Sequence, residues 1–570
     1  MSKCLDKCRL FLKIGAFNLT FFFWLLLLFM LLGLSGQPAA AQNQSEAVAG
    51  FNESLPTEVT TFPLTLDPGF TFIEVKKLAR NLAARAYVKP DNQTAKFLSS
   101  FSEDQWKGIT LKDENKLWGG ENLPFEVGFF HPGFIFDHTV TLYVIDNGQV
   151  HPVVFNRSYF NYLDPGLEEK IGSRILNFAG FRLYFPINGP NNKEEFAAFL
   201  GATHFRALAR HATYGLTARG LILNPATAGG EEFPYFLKFW LVKPTPQATS
   251  MTIYALMDSP SLSGAYSFVI TPGTATIMDV SVRLYPRVGV MWPQKVGVAA
   301  LSGMYLFSEK ENGSRTDWRP EVHSADNLLV STWSKAWFSR PLKNPERLKI
   351  NEFNLEHPRG FGLVQRDDNF DHYQDITARF DRRSWLWIEP KEDWSRGRLE
   401  LIEIPSTQEI HDNILAFWIP ERPLAGEDFP ADTSLAFDYR LYWMAPGITP
   451  HQLGRVVSTR LLQLPERETI QLNIDFENEE LKAIPAEIGL ASQVETNAEY
   501  PILEKSLLKN PVTGGWRLEL KIRRPRGKSV VENLMLIRDE RTTPRFQIRL
   551  VKGENLPESL TETWLYDLVD

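Results

Sequence analysis

The feature that most constrains the fold of this chain is a repeated pattern of short segments in which apolar and polar residues alternate, separated by turns rich in Gly, Pro, Asn and Asp. Such alternation turns one face of a strand toward a core and the other toward solvent. It predicts two hairpins, at residues 138–145 with 150–155 and at residues 265–271 with 276–284. Asn147-Gly148 in the first hairpin is a strong signal for a tight turn. The chain is therefore predicted to be all-β, with sheets packed on sheets.

Helical periodicity is rare in the sequence. Residues 74–87 bring Val75, Leu78 and Leu82 to one face at helical spacing, which predicts a short amphipathic helix. Residues 193–210 form the other segment for which a helix is predicted. With so few helices, a parallel sheet built from βαβ units is not expected.

The amino terminus has the pattern of a Sec-type signal peptide. Lys and Arg residues come first, an apolar run follows at residues 21–34, and Ala39-Ala40-Ala41 ends the segment. The apolar run is shorter than the roughly 20 residues that span a bilayer, so cleavage before Gln42 is predicted in preference to a retained anchor. Both cysteines, Cys4 and Cys8, leave with the signal. The mature protein is expected in the periplasm, without disulfides.

The length of the chain constrains the number of domains, and its net charge constrains the kind of partner. The chain has 570 residues, several times the roughly 150 residues of one domain. A Pro- and Gly-containing segment at residues 444–450 has no periodicity and predicts a boundary. The expected division is a signal peptide at 1–41, an N-terminal β-sandwich domain at 42–445 and a C-terminal domain at 452–570. The net charge of −7 disfavours a nucleic-acid partner.

Motifs of several reaction classes are missing from the sequence. It has no G-x-S-x-G elbow, no phosphate-binding G-x-x-x-x-G-K-[ST] loop, no intact G-x-G-x-x-G and no H-E-x-x-H. Carboxylate chemistry stays open, because glycoside hydrolysis needs only a protonated carboxyl that donates to the leaving oxygen and an ionised one that activates water or attacks carbon. With 68 Asp and Glu residues in the chain, composition does not select the pair.

A series of longer segments is more specific than any of these motifs. In chain order they include FLGATHFR at 199–206, YGLTARG at 214–220, GEEFP at 230–234, YALMDSP at 254–260, RPEVH at 319–323, DNI at 412–414 and TETW at 561–564. Together they resemble the osmoregulated periplasmic glucan biosynthesis proteins G and D, over most of the chain. The resemblance implies a large galactose-mutarotase-like β-sandwich followed by an immunoglobulin-like C-terminal β-sandwich.

The resemblance also implies a function. Proteins of this family take part in building glucose polymers with a β-1,2-linked backbone, and they are similar to inverting endo-β-1,2-glucanases. The implied ligand is a β-1,2-linked glucan, and no metal or organic cofactor is implied. Two alternatives stay open. The protein binds and also cleaves the glucan, or it is a non-catalytic glucan-binding scaffold for the inner-membrane glucosyltransferase.

The catalytic positions follow from the same resemblance. Asp412, in the DNI segment, stands at the position of the general acid. The family's general base directly follows the His of the RPEVH-type segment, and here that position is Ser324. A serine hydroxyl does not hold the proton of the attacking water near neutral pH, so Asp326 and Glu321 are the candidate replacements. Residues 299–304, AALSGM, also depart from the family's APLTSM.

A further set of residues is expected to contact the sugar. Arginine donates hydrogen bonds to hydroxyl oxygens, and aromatic rings stack on the C–H face of a pyranose. The candidates are Arg206, Arg219, Tyr266, Arg319, His323 and Trp337. For the first two arginines, buried ion pairs with Glu231 or Glu232 are an equally open alternative. Core packing is the expected role for any single tryptophan, including Trp240, Trp387 and Trp418.

Overall fold

The computed structural model describes residues 69–89, 96–172, 174, 176–308, 317–409, 412–421, 434–464, 469–488, 490–496, 501–523, 545–552 and 558–567. The predicted signal peptide and its cleavage position lie outside the described residues. No helix within these ranges is long and apolar enough to cross a membrane.

Strands account for about half of the described residues, and helices for few. The first sixteen are β1 (Ile109–Leu111), β2 (Glu126–Phe130), β3 (Thr141–Asp146), β4 (Gln149–Val153), β5 (Phe160–Tyr162), β6 (Gly180–Phe185), β7 (Glu194–Leu200), β8 (His204–Ala207), β9 (Thr217–Leu223), β10 (Tyr235–Val242), β11 (Met251–Asp258), β12 (Leu262–Thr271), β13 (Ala275–Pro286), β14 (Val296–Gly303), β15 (Tyr305–Phe307) and β16 (Val322–His323). The later strands are β17 (Asn327–Ser331), β18 (Trp337–Pro341), β19 (Lys349–Glu356), β20 (Gly360–Val364), β21 (Trp385–Pro390), β22 (Arg396–Glu403), β23 (Ile414–Pro420), β24 (Leu435–Met444), β25 (Arg455–Leu464), β26 (Thr469–Glu477), β27 (Ala491–Thr496), β28 (Ile502–Lys509), β29 (Trp516–Arg523), β30 (Arg545–Lys552), β31 (Glu558–Ser559) and β32 (Thr563–Asp567). The predicted all-β class is confirmed.

The helices are short. They are α1 (Phe72–Ala83), α2 (Glu103–Lys107), α3 (Pro165–Ile171), α4 (Phe370–Tyr373) and α5 (Glu479–Ala483), with single 3-10 turns at Asp113–Asn115, Arg157–Tyr159 and Phe380–Arg382. Helix α1 confirms the amphipathic helix predicted at 74–87, although it begins and ends earlier. The Thr71 hydroxyl caps its amino end, and Val75 and Ala79 are buried against β11 to β13.

The helix predicted at 193–210 is wrong. These residues form β7 and β8, joined by a turn in which Gly201 has φ of 76° and Ala202 has φ of 42°. Five consecutive residues of β7, from Phe196 to Leu200, are buried. A strand covered on both faces is apolar throughout and lacks the alternation that identifies a strand in sequence.

Two large sheets face each other across one core. One runs β27-β30-β32-β18-β17-β20-β21-β24-β13-β12-β11-β10-β3-β4, and the other runs β19-β22-β23-β14-β9-β8-β7-β6-β2. Their inner faces meet in edge-to-face aromatic contacts, with ring centroids 5.2 Å apart for Phe199 and Phe268 and 6.0 Å apart for Phe205 and Trp443. This packing gives the sandwich architecture that the sequence predicts.

The C-terminal strands enclose a second core. The sheet β25-β26-β29-β28 packs against β30 and β32 through residues such as Leu472, Leu518 and Ile548. Strand β32 also pairs in parallel with β18, which joins this part of the chain to the first large sheet. The predicted boundary residues 445 and 452 lie between β24 and β25, and the division into domains stays a prediction.

Candidate functional site

Asp412 lies just before β23, and hydrogen bonds of the next residue, Asn413, fix its position. The amide nitrogen of Asn413 donates to the carbonyl oxygens of Tyr305, at 2.9 Å, and Ile404, at 3.0 Å. Its amide oxygen accepts from the Tyr305 backbone nitrogen at 2.8 Å. These three bonds fix the backbone that carries Asp412, whose surface is 8% exposed.

The environment of Asp412 favours its protonated form. Burial raises its pKa to about 6, against the opposing effects of a hydrogen bond from Ser302 and the charges of Arg219, Arg383 and Arg206. The Ser302 hydroxyl donates to Oδ2 of Asp412 at 2.9 Å. A carboxyl group with such a pKa still carries a proton on about a tenth of the molecules at pH 7, far more than an exposed Asp does. It can therefore act as a general acid.

The register of the second sheet explains how this group assembles. Asp412, Ser302, Arg219 and Arg206 belong to β23 or its entry, β14, β9 and β8, which are neighbours in that order. Arg219 pairs with residue 300 of β14 and with residue 204 of β8. Paired residues, and residues two apart on a strand, share a face of the sheet. Ser302, Arg219 and Arg206 are thus brought to one face.

Each of the three arginines near Asp412 is buried and supported. Arg206 stacks over the ring of Tyr214, 3.9 Å from its centroid. Arg219 donates to Oε1 of Glu231 at 3.2 Å, so one of the alternative ion pairs considered from sequence is formed. Arg383 lies 4.0 Å from the ring centroid of Phe380. The three arginines thus place positive charge around the Asp412 carboxyl group.

Ser324, which the sequence predicts at the position of the family base, is completely buried. Its hydroxyl accepts a hydrogen bond from the backbone nitrogen of Met304 at 3.0 Å and donates to the Met304 carbonyl oxygen at 3.3 Å. Both contacts hold the chain next to the end of β14. They give Ser324 a structural role and supply no proton acceptor for water.

Glu321 and His323 form a buried pair on the β16 side of the site. Nε2 of His323 lies 3.0 Å from Oε2 of Glu321, and Nδ1 lies 2.9 Å from the amide oxygen of Gln365. Burial opposes the charge on His323, but the Glu321 carboxylate outweighs it and raises the pKa of His323. Burial likewise raises the pKa of Glu321, against the charge of His323. The contact between Glu321 and His323 therefore holds each side chain in position.

Asp326 is half-buried and near this pair. Its Oδ1 accepts from the side-chain nitrogen of Asn327 at 2.9 Å, and Oδ2 accepts from the backbone nitrogen of Arg366 at 3.3 Å. The Asp326 carboxylate adds negative charge that contributes to the raised pKa of Glu321. Asp326 and Glu321 are thus close enough for their charges to interact.

Arg319 is held by acidic side chains. It donates to Asp317 through Nε at 3.0 Å and to Asp375 through Nη1 at 2.9 Å. Nη1 also donates to Glu409 at 2.6 Å. These ion pairs tie three segments of the chain together, so the immediate role of Arg319 in this structure is to position loops.

The aromatic candidates lie in packed surroundings. Tyr266 is fully buried, and its hydroxyl donates to the Gly220 carbonyl oxygen at 3.0 Å. Trp337 is half-buried and stacks on Trp387, with ring centroids 5.2 Å apart, while its other neighbour is His451 at 4.5 Å. Trp240, Trp387 and Trp418 are buried, which confirms core packing as their role.

Sequence reasoning missed Ser302 and Arg383. Ser302 stands in the AALSGM segment already noted as divergent, and that segment was the one available signal. Arg383 directly follows a 3-10 turn, and only the tertiary fold brings it near Asp412. Nothing in the residues around position 383 sets this arginine apart from the others.

The fold and the site define a two-core β-sandwich protein whose candidate chemistry is that of a buried carboxyl among arginines. A family model described as "Periplasmic glucan biosynthesis protein, MdoG" matches residues 70–568. The chain belongs to this family, as the resemblance predicted.

Relatives agree with the family assignment. Glucans biosynthesis protein G of Pseudomonas paraeruginosa PA7 is 36% identical over 512 residues, covering 88% of this chain and 93% of the relative. The protein of the same name from Rhodopseudomonas palustris BisA53 is 38% identical over 460 residues, covering 81% and 88%. That of Ralstonia nicotianae GMI1000 is 37% identical over 464 residues, covering 80% and 90%.

Proposed function

We propose that this protein holds a β-1,2-linked glucan during periplasmic glucan biosynthesis, with Asp412 and the neighbouring arginines contacting the sugar. The observation that carries the proposal is the buried Asp412 carboxyl, with a pKa raised to about 6, among three buried arginines. A protonated carboxyl and guanidinium groups all donate hydrogen bonds, and sugar hydroxyl oxygens accept them.

Access to the site is part of the proposal. Asp412, Arg206, Arg219 and Arg383 are each less than a tenth exposed. A polymer reaches them only if the surrounding segments separate when it binds. We therefore propose that glucan binding is accompanied by a conformational change, during which the β-sheet register keeps Asp412, Arg206 and Arg219 together.

Cleavage of the glucan is the second candidate function, and the protonation of Asp412 favours it. In this proposal Asp412 donates a proton to the leaving oxygen, and Asp326 or Glu321 activates the water for inversion at the anomeric carbon. The hydrogen bonds of Ser324 to Met304 favour the non-catalytic alternative, because they leave no proton acceptor at this position. In that alternative the protein is a scaffold that presents glucan to the inner-membrane glucosyltransferase.

The location follows from the proposed role. We propose export to the periplasm after removal of residues 1–41, so that the mature chain meets the growing glucan on the outer side of the inner membrane. Deleting the gene in its host is expected to lower the amount or alter the length of periplasmic glucan. An unchanged glucan pool contradicts the proposed function.

Binding is tested by titrating the mature protein with linear β-1,2-glucan in a calorimeter. Arg206→Met removes donors near Asp412, and we expect at least about tenfold weaker binding, since a hydrogen bond from a charged group contributes roughly 1.5–3 kcal/mol. Arg283→Met is the matched control, because Arg283 pairs with Asp438 on the other large sheet. Equal binding by the wild type and Arg206→Met contradicts the site.

Catalysis is tested with Asp412→Asn, which keeps the shape of the side chain and removes the acidic proton. If the protein is an enzyme, incubation with glucan yields shorter products for the wild type and none for the variant. If it is a scaffold, neither yields products and Asp412→Asn restores glucan synthesis in the deletion strain. Cleavage that survives in the variant rules out Asp412 as the acid.

A further inference from the structure

Three potential metal ligands meet beside the RPEVH segment. Glu321 precedes β16, Asp367 follows β20, and His372 lies in α4. One ligand atom from each side chain lies within 4.8 Å of the other two. Ligand atoms around a tetrahedral Zn²⁺ ion are about 3.4 Å apart at bond lengths near 2.0–2.2 Å, so the three side chains have to move together by up to about 1.4 Å to bind one ion.

Glu321 supplies a second and independent observation. Its Oε2 is engaged by His323, but its Oε1 is buried and has no hydrogen-bond partner among the described residues. The side chain is only 5% exposed. An unsatisfied buried carboxylate oxygen costs free energy, and a bound cation would remove that cost.

Asp367 and His372 form the outer side of the cluster. Oδ2 of Asp367 lies 2.6 Å from Nδ1 of His372, and their side chains are 26% and 38% exposed. Asn369 caps α4 by accepting from the backbone nitrogen of Asp371 at 3.0 Å, which fixes the turn between the two ligands. One ligand is thus buried and two are half-exposed, which leaves an ion a path from solvent.

We propose that Glu321, Asp367 and His372 bind a divalent transition-metal ion, represented by Zn²⁺. One imidazole nitrogen with two carboxylates matches the ligands of Zn²⁺, whereas Ca²⁺ and Mg²⁺ take oxygen ligands. The ion ties the segment with α4 to β16, which carries His323 and precedes Ser324. This proposal does not rest on glucan binding and assigns the ion no part in a reaction.

The test is a calorimetric titration of chelator-treated mature protein with Zn²⁺, in the absence of glucan. We expect one saturable site per chain, and at least about tenfold weaker binding in His372→Gln and in Asp367→Asn. Asp393→Asn is the matched control. It removes the acid of another His–Asp pair, in which Nδ1 of His357 lies 2.7 Å from Asp393 on an exposed surface. Its Zn²⁺ affinity is expected to equal that of the wild type.

Several outcomes overturn the proposal. They are the absence of a stoichiometric Zn²⁺ site, wild-type affinity in both His372→Gln and Asp367→Asn, equal loss of affinity in Asp393→Asn, and tighter binding of Ca²⁺ than of Zn²⁺. Near-UV circular dichroism confirms that each variant is folded. Because these two ligands are half-exposed, at least one of the two substitutions is expected to leave the fold intact. Glucan binding is measured separately, so failure of either proposal leaves the other intact.

Discussion

The hydroxyl of Ser302 donates a hydrogen bond to Oδ2 of Asp412 across 2.9 Å, joining the end of β14 to the entry of β23. Two residues further along the chain, the backbone of Met304 holds the hydroxyl of Ser324. Asp412 and Ser324, the residues predicted at the positions of the acid and the base, are therefore attached to the same strand end. A change in β14 is expected to affect both.

The first prediction concerns the pH dependence of stability. An unfolded Asp has a pKa near 3.9, whereas that of Asp412 in the folded protein is about 6. Between these values the native state binds more protons, so the contribution of Asp412 to stability falls as pH rises from about 4 to 6. In Asp412→Asn this loss is absent. The free energy of unfolding of the variant, relative to wild type, should rise by about 2 kcal/mol between pH 4 and 7.

Urea unfolding at both pH values measures this difference. Asp438→Asn is the control with the opposite sign. Burial opposes ionisation of Asp438, but the hydrogen bond and charge of Arg283 outweigh it and lower the pKa of Asp438. A relative stability of Asp412→Asn that stays flat from pH 4 to 7 contradicts the raised pKa.

The second prediction concerns Ser302→Ala. Its hydroxyl stabilises the ionised form of Asp412, so its removal should raise the pKa of Asp412 further, by roughly one pH unit. The fall of stability with pH should then extend to higher pH than in the wild type. Unfolding curves between pH 4 and 8 measure it. Ser263→Ala removes a buried hydroxyl that donates to the Ala79 carbonyl oxygen, and it should lower stability without this change in pH profile.

The third prediction concerns Ser324→Asp. Ser324 is completely buried, and the Leu216 side chain fills the space beside Gly303, so a larger group at position 324 requires Leu216 to shift. A carboxylate there restores a proton acceptor, which typically contributes about 10²–10⁴-fold in rate. We expect glucan cleavage to appear or rise by a factor in this range, measured as shorter products.

Ser324→Asn, of equal size without a basic carboxylate, should show no gain. A folded Ser324→Asp variant that binds glucan without cleaving it would show that the site as a whole has diverged.

The fourth prediction concerns the junction between the two cores. Arg366 donates to both oxygens of Glu562, at 2.7 and 2.8 Å. Burial opposes ionisation of Glu562, but the charge of Arg366 outweighs it, with help from His451, and lowers the pKa of Glu562 to about 2. The stabilisation is present above the unfolded pKa near 4.3 and is lost as pH falls toward 2.

Glu562→Gln should therefore be less stable than wild type at pH 6, and the difference should shrink by about 3 kcal/mol on going from pH 5 to pH 2. Chemical unfolding at several acidic pH values measures the difference. Equal acid dependence in wild type and variant would contradict the assignment. Glu504→Gln, which removes an exposed partner of Lys521, should leave the acid dependence close to that of wild type.

Local patterns determined much of the fold in advance. The β3–β4 hairpin turns through Asn147 and Gly148, with φ of 49° and 77°, as the Asn-Gly signal predicts. Helix α1 formed where apolar residues recur at helical spacing. Where a segment is buried on both faces, as in β7, the pattern is ambiguous between helix and strand. The sequence prediction of a helix failed there for that reason.

By itself, the sequence determined the all-β class and the family through its long ordered segments, and it predicted that Ser324 stands at the position of the base. Only the tertiary structure brought Ser302, Arg206, Arg219 and Arg383 to Asp412. The meeting of the first three with Asp412 depends on the pairing register of β14, β9, β8 and β23, whereas Arg383 comes from the segment after a 3-10 turn. No local signal specifies either contribution. The raised pKa of Asp412 is likewise a tertiary property, because burial by surrounding atoms disfavours the charged carboxylate.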